Sequence, residues 1–387
     1  MIDITKKEKC SGCSACASVC PQKCISMISD DEGFLYPQID QDKCGDCKLC
    51  QRICPINSIS NDDDTKINAY AAINKQIEIR RNSSSGGIFS LLAEEILCKG
   101  GIVFGAAFDD DFNVVHKKIE DIRDISKLRG SKYVQSIIGE TFNEAERELK
   151  NNRLVLFSGT PCQISGLLNF LKKPYDNLLT LDFVCHGVPS PLLWNKYRDY
   201  RQQSVKSNLN GVFFRDKEYG WKNYSLRFLF DNDKSYHCKQ SQDPYMQIFL
   251  KDLCLRPSCY NCKFKTEHRQ SDITLADFWG IENILPKMDD DSGTSLVVVN
   301  SERGREVFNK LEDKMFVAAV SLENAIKYNS AMIKSAVRPK DRDNFMSDLH
   351  RLSFDKLHKK YCKVKLKIKL KVMLVKIRKR IIRSKRK

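Results

Sequence analysis

The sequence lacks any apolar run of the ~18 residues that a membrane-spanning helix requires, so we expect no transmembrane segment. Its first residues contain no apolar stretch of the kind found in secretory signal peptides. There is also no G-x-G-x-x-G motif after a predicted strand, which argues against a Rossmann dinucleotide fold. These absences predict a cytoplasmic protein without a Rossmann domain.

Acidic residues are missing from the C-terminal segment, residues 356–387, which contains 16 of the 65 Lys and Arg residues. The remaining 49 bases are balanced by 49 acids, so this segment accounts for the whole net charge of +16. A nucleic-acid-binding fold carries its basic charge on a folded face. We therefore do not expect nucleic acid as a partner.

Apolar residues recur at helical spacing within this segment, at Leu370, Leu374, Ile377 and Ile381. Basic amphipathic segments attach to anionic lipid, and each base near the surface contributes about 1 kcal/mol. We predict that residues 356–387 form a basic amphipathic tail, which would place the protein peripherally at the inner face of the membrane. A solvated tail and non-specific RNA contact are the alternatives.

Cysteine is abundant and unevenly distributed. The chain has 17 cysteines, and nine of them lie between Cys10 and Cys54. An odd number without a signal peptide argues against a framework of disulfides. In a reducing compartment, such density indicates metal binding.

The motif C-x-x-C-x-x-C-x-x-x-C-P occurs twice, at residues 10–21 and 44–55. This is the bacterial ferredoxin spacing, in which three cysteines bind one 4Fe-4S cluster and the fourth binds the other. Zinc sites also use C-x-x-C pairs but rarely two such complete runs, and Cys24 is left over as a structural residue. We assign cluster one to Cys10, Cys13, Cys16 and Cys54, and cluster two to Cys20, Cys44, Cys47 and Cys50.

The composition, 42% hydrophobic and 29% charged over 387 residues, is that of a folded protein with two or three domains. Residues 1–60 are predicted to form an α+β ferredoxin-like module with two clusters. In residues 67–205, strand-length apolar runs alternate with helical patterns, which predicts an α/β core with a mainly parallel sheet. Residues 206–335 have shorter strands and a Cys-rich loop, and we treat them as the second part of the same unit.

Five segments carry a resemblance to a known family. They are Arg81–Gly87, Gly130–Ser136, Phe157–Gln163, Asp182–Pro191 and Asp272–Gly280. With them, residues 1–335 resemble the beta subunit of coenzyme F420 hydrogenases and dehydrogenases, in the form with an N-terminal ferredoxin domain that is often encoded in surface-polysaccharide gene clusters. The resemblance implies an FAD-containing core and an oxidoreductase.

That oxidoreductase would pass electrons between the clusters, the FAD and a small molecule that accepts or donates hydride, with a ferredoxin-like protein as redox partner. The small molecule is either coenzyme F420 or a sugar- or lipid-linked intermediate. The alternative is a non-enzymatic adaptor that delivers electrons to a partner protein. Two clusters need only some 60 residues to be held, so an adaptor would not need the large body that follows the module. We therefore favour the enzyme.

Two segments of the resemblance contain candidates for binding the flavin. Ser84, Ser85, Gly86 and Gly87 precede a predicted helix, where free backbone amides bind phosphate, although an ordinary helix cap is an equal alternative. Lys132 and Tyr133 would supply a cation for the pyrophosphate and an aromatic ring. Thr160 lies between a predicted strand and a helix, the usual place for a ligand in an α/β sheet.

His186 follows another predicted strand and is the candidate catalytic residue. Its unperturbed pKa lies near neutrality, so it could relay a proton to the flavin or the substrate. A histidine that caps a turn is the alternative interpretation.

A third cluster is predicted from the Cys-rich loop, which contains Cys254, Cys259 and Cys262. A cubane needs four thiolates. We expect Cys162, Cys259 and Cys262 as ligands, with Cys185 or Cys254 completing the set. A four-cysteine zinc site from the same residues is the competing interpretation.

Overall fold

A computed structural model describes residues 6–57 and 67–362. The strands in these residues are β1 (Ile25–Ser29), β2 (Leu35–Ile39), β3 (Asn68–Asn74), β4 (Ile102–Phe108), β5 (Val114–Ile119), β6 (Val155–Ser158), β7 (Leu178–Phe183), β8 (Leu209–Asp216), β9 (Ser225–Phe230), β10 (Ser235–Lys239), β11 (Ile273–Asp277), β12 (Ser295–Val299) and β13 (Met315–Val320). The α-helices are α1 (Ala15–Ser18), α2 (Leu49–Arg52), α3 (Ile77–Arg81), α4 (Ile88–Cys98), α5 (Ile125–Leu128), α6 (Thr141–Lys150), α7 (Pro161–Leu171), α8 (Pro191–Val205), α9 (Pro244–Phe249), α10 (Ile281–Ile284), α11 (Glu302–Asn309), α12 (Leu322–Lys327), α13 (Arg342–Arg351) and α14 (Phe354–Cys362).

The N-terminal module repeats one local structure, as its sequence repeat predicts. Each cysteine run turns into a short helix, α1 or α2, directly after a residue with positive φ. These residues are Ser14 (φ 66°) and Lys48 (φ 58°), which occupy the same position in the two runs. β1 and β2 form an antiparallel hairpin between the runs. The module is therefore the predicted small α+β unit.

The body contains an eight-stranded sheet in the order β13-β3-β12-β11-β7-β6-β4-β5. Only the pairs β11–β7, β7–β6 and β6–β4 are parallel, and the other four pairs are antiparallel. The prediction of a mainly parallel sheet is therefore wrong, and the sheet is mixed. Parallel pairs need long crossovers, whereas β4 and β5 are joined by a short turn that permits only an antiparallel hairpin.

Helices cover both faces of this sheet. Side chains alternate along β4, where Val103 packs with α4 and Phe104 packs with α6 and α7. Strands that are buried on both faces read as continuous apolar runs, which is why β4, β6 and β12 were predictable. Because α6 and α7 lie between successive parallel strands, they place the loops after β6 and β7 at one edge of the sheet.

The strands β8, β9 and β10 form a separate antiparallel sheet. It packs with α8, α9, α13 and α14 around an aromatic core that contains Trp194, Tyr197 and Phe228. Helix α14 includes the first residues of the predicted tail, and its Phe354 packs against Tyr197 with 4.7 Å between ring centroids. Residues 363–387, with the predicted amphipathic stretch, lie outside the described residues.

The module is docked on the body through its hairpin turn. Arg342 binds both carboxylate oxygens of Glu32, at 2.5 and 2.8 Å. Gln135 accepts a hydrogen bond from the amide of Leu35 at 3.1 Å, and His350 bonds the carbonyl oxygen of Asp31 at 2.6 Å. These contacts fix the cysteine runs against the body. In the described part of the chain, no helix is long and apolar enough to cross a membrane.

Candidate functional site

The four thiols that we assigned to cluster one lie together in the structure. Burial raises the pKa of Cys13 to about 12, and charges on Cys10 and Cys54 add to that rise. Burial also raises the pKa of Cys16, with further contributions from Cys13, Cys10 and Cys54. Iron binding removes these protons, because metal ligation requires thiolates. The donor set fits a 4Fe-4S cluster that draws three ligands from one run and one from the other.

A fifth thiol, that of Cys24, lies beside the four cysteines assigned to cluster two. Cys24 packs with Cys20, Cys44 and Cys50, and its Sγ lies 3.3 Å from Sγ of Cys20. The hydrogen bond to Cys20, burial and smaller charge effects that include Cys44 raise the pKa of Cys24 to about 12. Cys47 is exposed. This set therefore reaches the protein surface at Cys47, and Cys24 borders it.

Four cysteines of the body line one cavity of about 410 Å³. They come from the start of α7, the loop after β7 and the Cys-rich loop, and they are Cys162, Cys185, Cys259 and Cys262. Burial raises the pKa of Cys259 to about 12, and Cys185 and Cys262 contribute to that rise. The pKa of Cys162 is raised by burial and then by Cys262 and Cys185. Four converging thiols are the donor set of a 4Fe-4S cluster or a structural zinc site.

Cys254, the other candidate for the fourth ligand, does not line this cavity. It is fully buried in the aromatic core, and its carbonyl accepts a hydrogen bond from Ser190. The charges that act on its thiol are those of Asp252 and Arg342 rather than those of the cavity cysteines. Of the two alternatives for the fourth position, the structure places Cys185 at the cavity.

Basic side chains surround the cavity. Lys265 donates hydrogen bonds to the carbonyl oxygens of Cys185 and Ala331. Burial raises the pKa of the Cys185 thiol, whereas Lys265 and Arg269 oppose that rise. Lys6, Lys9 and Lys263 also line the cavity. These charges favour thiolates, and therefore metal binding, within the cavity.

The cavity cysteines adjoin cluster one across a close helix contact. Gly166 lies one turn after Cys162 on α7, so the two face the same side of the helix. A Cβ built on Gly166 would lie 3.0 Å from Sγ of Cys13, and the charge of Cys13 contributes to the raised pKa of Cys162. The glycine allows the first cysteine run to approach α7.

His186 lines the same cavity and is paired with a carboxylate. One ring nitrogen, Nε2, lies 2.6 Å from Oδ1 of Asp252, and the ring packs edge-on against Phe249. A carboxylate that holds one nitrogen of an imidazole fixes the orientation of the ring. Sequence reasoning found His186 but missed Asp252, because the two are 66 residues apart and no motif links them.

Two segments with predicted flavin-binding residues meet at Arg215. The Ser84 hydroxyl accepts a hydrogen bond from the amide of Ser131 at 2.8 Å. Arg215 donates to the Ser84 carbonyl at 3.2 Å and to the Tyr133 hydroxyl at 3.3 Å, and it forms an ion pair with Asp277 at 2.5 Å. Within the described residues, Nε of Arg215 is buried without a hydrogen-bond partner. Arg215 is therefore a buried cation, neutralised by Asp277, that joins two of the predicted flavin-binding segments.

The predicted flavin-binding groups of residues 85–87 make contacts within the protein itself. The Gly86 amide donates to the Ser295 hydroxyl at 2.9 Å, and the Ser85 hydroxyl donates to the Thr294 carbonyl at 2.8 Å. Gly87 is the residue before α4, with a φ of 86°. These contacts support the alternative interpretation of Ser85, Gly86 and Gly87 as an ordinary helix entry.

Lys132 and Thr160 are also placed apart from Arg215. Lys132 donates to three carbonyl oxygens at the end of α5, at 3.1 to 3.2 Å, and burial lowers its pKa to about 7. Thr160 lines the cysteine cavity, with its hydroxyl 3.1 Å from Sγ of Cys162. Of the predicted cofactor-binding residues, Ser84 and Tyr133 are therefore the ones that contact Arg215.

In comparisons with known proteins, the module and the body of the chain match separate family models. No curated protein matches it. Among solved structures, it is similar to a chain of the F420-reducing NiFe hydrogenase complex from Methanosarcina barkeri, in a structure of a xenon derivative, with 18% identity and a TM-score of 0.45 over 76% of this chain and 90% of that one. Residues 9–58 match the model of the 4Fe-4S dicluster domain, and residues 152–325 match that of the C terminus of the coenzyme F420 hydrogenase/dehydrogenase beta subunit. Residues 9–58 are thus similar to a 4Fe-4S dicluster domain, and residues 152–325 of the body are similar to the C terminus of the coenzyme F420 hydrogenase/dehydrogenase beta subunit.

Proposed function

We propose that this protein is an iron–sulfur flavoprotein oxidoreductase. It would pass electrons between the dicluster domain and a bound FAD, and on to a small molecule that accepts hydride. A flavin supplies the conversion between single electrons and hydride. The small molecule is coenzyme F420 or a sugar- or lipid-linked intermediate of surface polysaccharide biosynthesis, and the donor is a redox protein such as a ferredoxin.

The observation that carries this proposal is the convergence of Cys162, Cys185, Cys259 and Cys262 beside Cys13. These thiols come from three separate segments of the body, yet they line one cavity. We propose that they bind a third 4Fe-4S cluster, because all-cysteine sets are the usual ligands of such clusters. Zinc in the same place would brace the loop without carrying electrons.

A third cluster in this position would extend the electron path into the body. The path would begin at the exposed Cys47, continue through the packed cysteines of the module, and pass from Cys13 to Cys162. An adaptor that only relays electrons has no need of a path that ends inside its own second domain. The direction of this path therefore favours the enzyme over the adaptor.

We propose that the flavin binds near Arg215, on the same edge of the sheet. Asp277 ends β11 and Cys185 follows β7, and these two strands are parallel neighbours. Arg215, neutralised by Asp277, would hold Ser84 and Tyr133 in place, and these two residues would line the site. His186, held by Asp252, would hold or deliver a proton from its place on the cavity wall.

Two cysteine variants of the full chain, purified without oxygen, test this proposal. Cys262→Ala should lose about four irons, the content of one cubane, and should slow the reduction of the flavin by a reduced ferredoxin. Cys254→Ala is the matched control, since Cys254 is another cysteine of the same loop but does not line the cavity. It should keep its iron and its flavin reduction rate.

Two results would contradict the proposal. An equal iron content in the two variants would show that Cys262 does not bind a third cluster. Correctly folded wild-type protein that binds no FAD, even after reconstitution, would exclude a flavoenzyme and leave the adaptor.

A further inference from the structure

Arg256 is a fully buried arginine in the Cys-rich loop, between Cys254 and Cys259. Its Nε donates to the carbonyl oxygen of Cys10 at 2.8 Å, and its Nη2 donates to that of Leu35 at 3.0 Å. The same Nη2 lies 3.5 Å from Sγ of Cys10. Among the residues that the structure describes, it forms no ion pair with a carboxylate, and Nη1 has no hydrogen-bond partner.

This environment differs from that of the other buried arginines nearby. Arg215 is paired with Asp277, and Arg342 is paired with Glu32. Burying a charge is strongly unfavourable unless an opposite charge compensates for it. Arg256 therefore lacks a counter-charge among the described side chains, and something at this place must supply one.

The first cysteine run is shaped around the guanidinium group. A Cβ built on Gly12 would lie 2.8 Å from Nη1 of Arg256, and Gly12 has a φ of 73°. On another side, Cζ of Arg256 lies 4.0 Å from the centroid of the Tyr36 ring. The unpartnered Nη1 is thus held inside the loop between Cys10 and Cys13, which are two ligands of cluster one.

The missing counter-charge is that of the cluster. Four thiolates around a cubane core carry a net negative charge, which grows by one unit on reduction. A positive charge in a buried place interacts more strongly with the reduced form than with the oxidised form. Charge, hydrogen bonds to sulfur and solvent exposure are the factors that set cluster potentials.

We propose that Arg256 is the counter-ion of cluster one and raises the reduction potential of that cluster above the potential of cluster two. At cluster two, Arg52 donates to the carbonyl of Cys47 at 3.3 Å, but both residues are exposed and their charges are screened by water. The difference drives electrons from the surface toward the body. The inference rests on the dicluster domain and holds whether or not the body binds a flavin.

The test is a redox titration of the anaerobic full-length protein, followed by EPR. Arg256→Gln should lower the midpoint potential of one cluster, and Arg256→Lys should restore most of the loss because it keeps the charge. Cys47→Ser identifies the signal of cluster two, which should titrate unchanged in both Arg256 variants. Because Arg256 also acts on the Cys259 thiol, the titration is repeated in the Cys262→Ala background, which lacks the proposed third cluster, and the shift should persist there. Arg342→Gln is the control, since Arg342 is a buried arginine of the same interface that bonds Glu32 and Leu255 rather than a cluster ligand.

The measured potentials show whether the charge of Arg256 acts on cluster one. An unchanged potential in Arg256→Gln, with full iron and sulfide, would overturn the proposal, and so would an equal shift in Arg342→Gln, which would assign the effect to docking. If Arg256→Gln loses cluster one altogether, Arg256→Lys decides: retention of the cluster supports a role for the charge, and loss in both variants rejects it.

Discussion

The cysteines of the module and those of the body reach their sites in different ways. In the module, three predicted ligands of each cluster come from one local run and the fourth from the other run, and both runs fold into the same turn and short helix. In the body, four cysteines from three separate segments meet only because α7, the loop after β7 and the Cys-rich loop share one edge of the sheet. A repeated local motif therefore identifies a metal site from sequence alone, whereas a site assembled by topology needs the fold.

The sharpest test of this comparison lies within the module. Cys13→Ala should lose cluster one, about four irons, because Cys13 is a predicted ligand inside the buried set. Cys24→Ala should keep both clusters, although Cys24 lies 3.3 Å from Cys20, because its position falls outside both runs. Iron and sulfide analysis checks the pair. Loss of iron in Cys24→Ala would show that the run alone does not define the ligands.

The next test concerns chemistry that only the body provides. His186→Gln should lower kcat by about 10² to 10⁴, the usual contribution of a proton-transferring side chain. Asp252→Asn should also lower kcat. The double variant should be little slower than His186→Gln alone, because Asp252 acts through His186. Steady-state rates with saturating reduced ferredoxin measure both. His237→Gln, in the separate three-stranded sheet, is the control and should retain its rate.

A smaller effect should distinguish the body from the module: acid should lower the stability of the body through His116. His116, between Ser136 and the Ser158 carbonyl, is buried in the body, and burial lowers its pKa from 6.5 to about 4. In acid the unfolded chain therefore binds a proton at His116 that the folded chain excludes. The free energy of unfolding is highest above pH 6.5 and decreases as the pH falls toward 4. Between pH 7 and pH 5 the loss is about 2 kcal/mol.

Urea unfolding of the wild type and of His116→Gln at the two pH values measures this loss. The variant should show a weaker dependence on pH than the wild type. The described part of the module contains no histidine, so the effect should appear in the body. The same pH dependence in both proteins would contradict this explanation.

Sequence reasoning predicted most of the strands and helices because their apolar runs are long and bounded by turn residues. The apolar runs at residues 225–230 and 295–299 and the helical patterns at residues 141–150 and 161–171 predict β9, β12, α6 and α7 with the limits that the structure has. The direction of the strands was not predictable in the same way. Apolar runs show that a strand is buried, but the pairing of β3 with β12 and β13 depends on contacts between residues more than 200 positions apart.

The candidate site shows the same limit residue by residue. Cys162, Cys259 and Cys262 were expected together, but the choice between Cys185 and Cys254 needed the fold, because Cys254 is nearer in sequence and yet points into the aromatic core. Asp252, Arg215 and Arg256 were missed because isolated charged residues carry no spacing signal. Their importance follows from their contacts: Asp252 holds His186, Arg215 joins Ser84 to Tyr133, and Arg256 lies beside Cys10, a predicted cluster ligand.

We propose that the cavity of Cys162, Cys185, Cys259 and Cys262 holds a third cluster that extends the electron path of the module. Metal analysis combined with Mössbauer spectroscopy of the wild-type protein tests it most directly. We expect about twelve irons and twelve sulfides per chain, the content of three cubanes, without stoichiometric zinc. About eight irons with one zinc would contradict it, since the body would then have a braced loop and no electron path from Cys13.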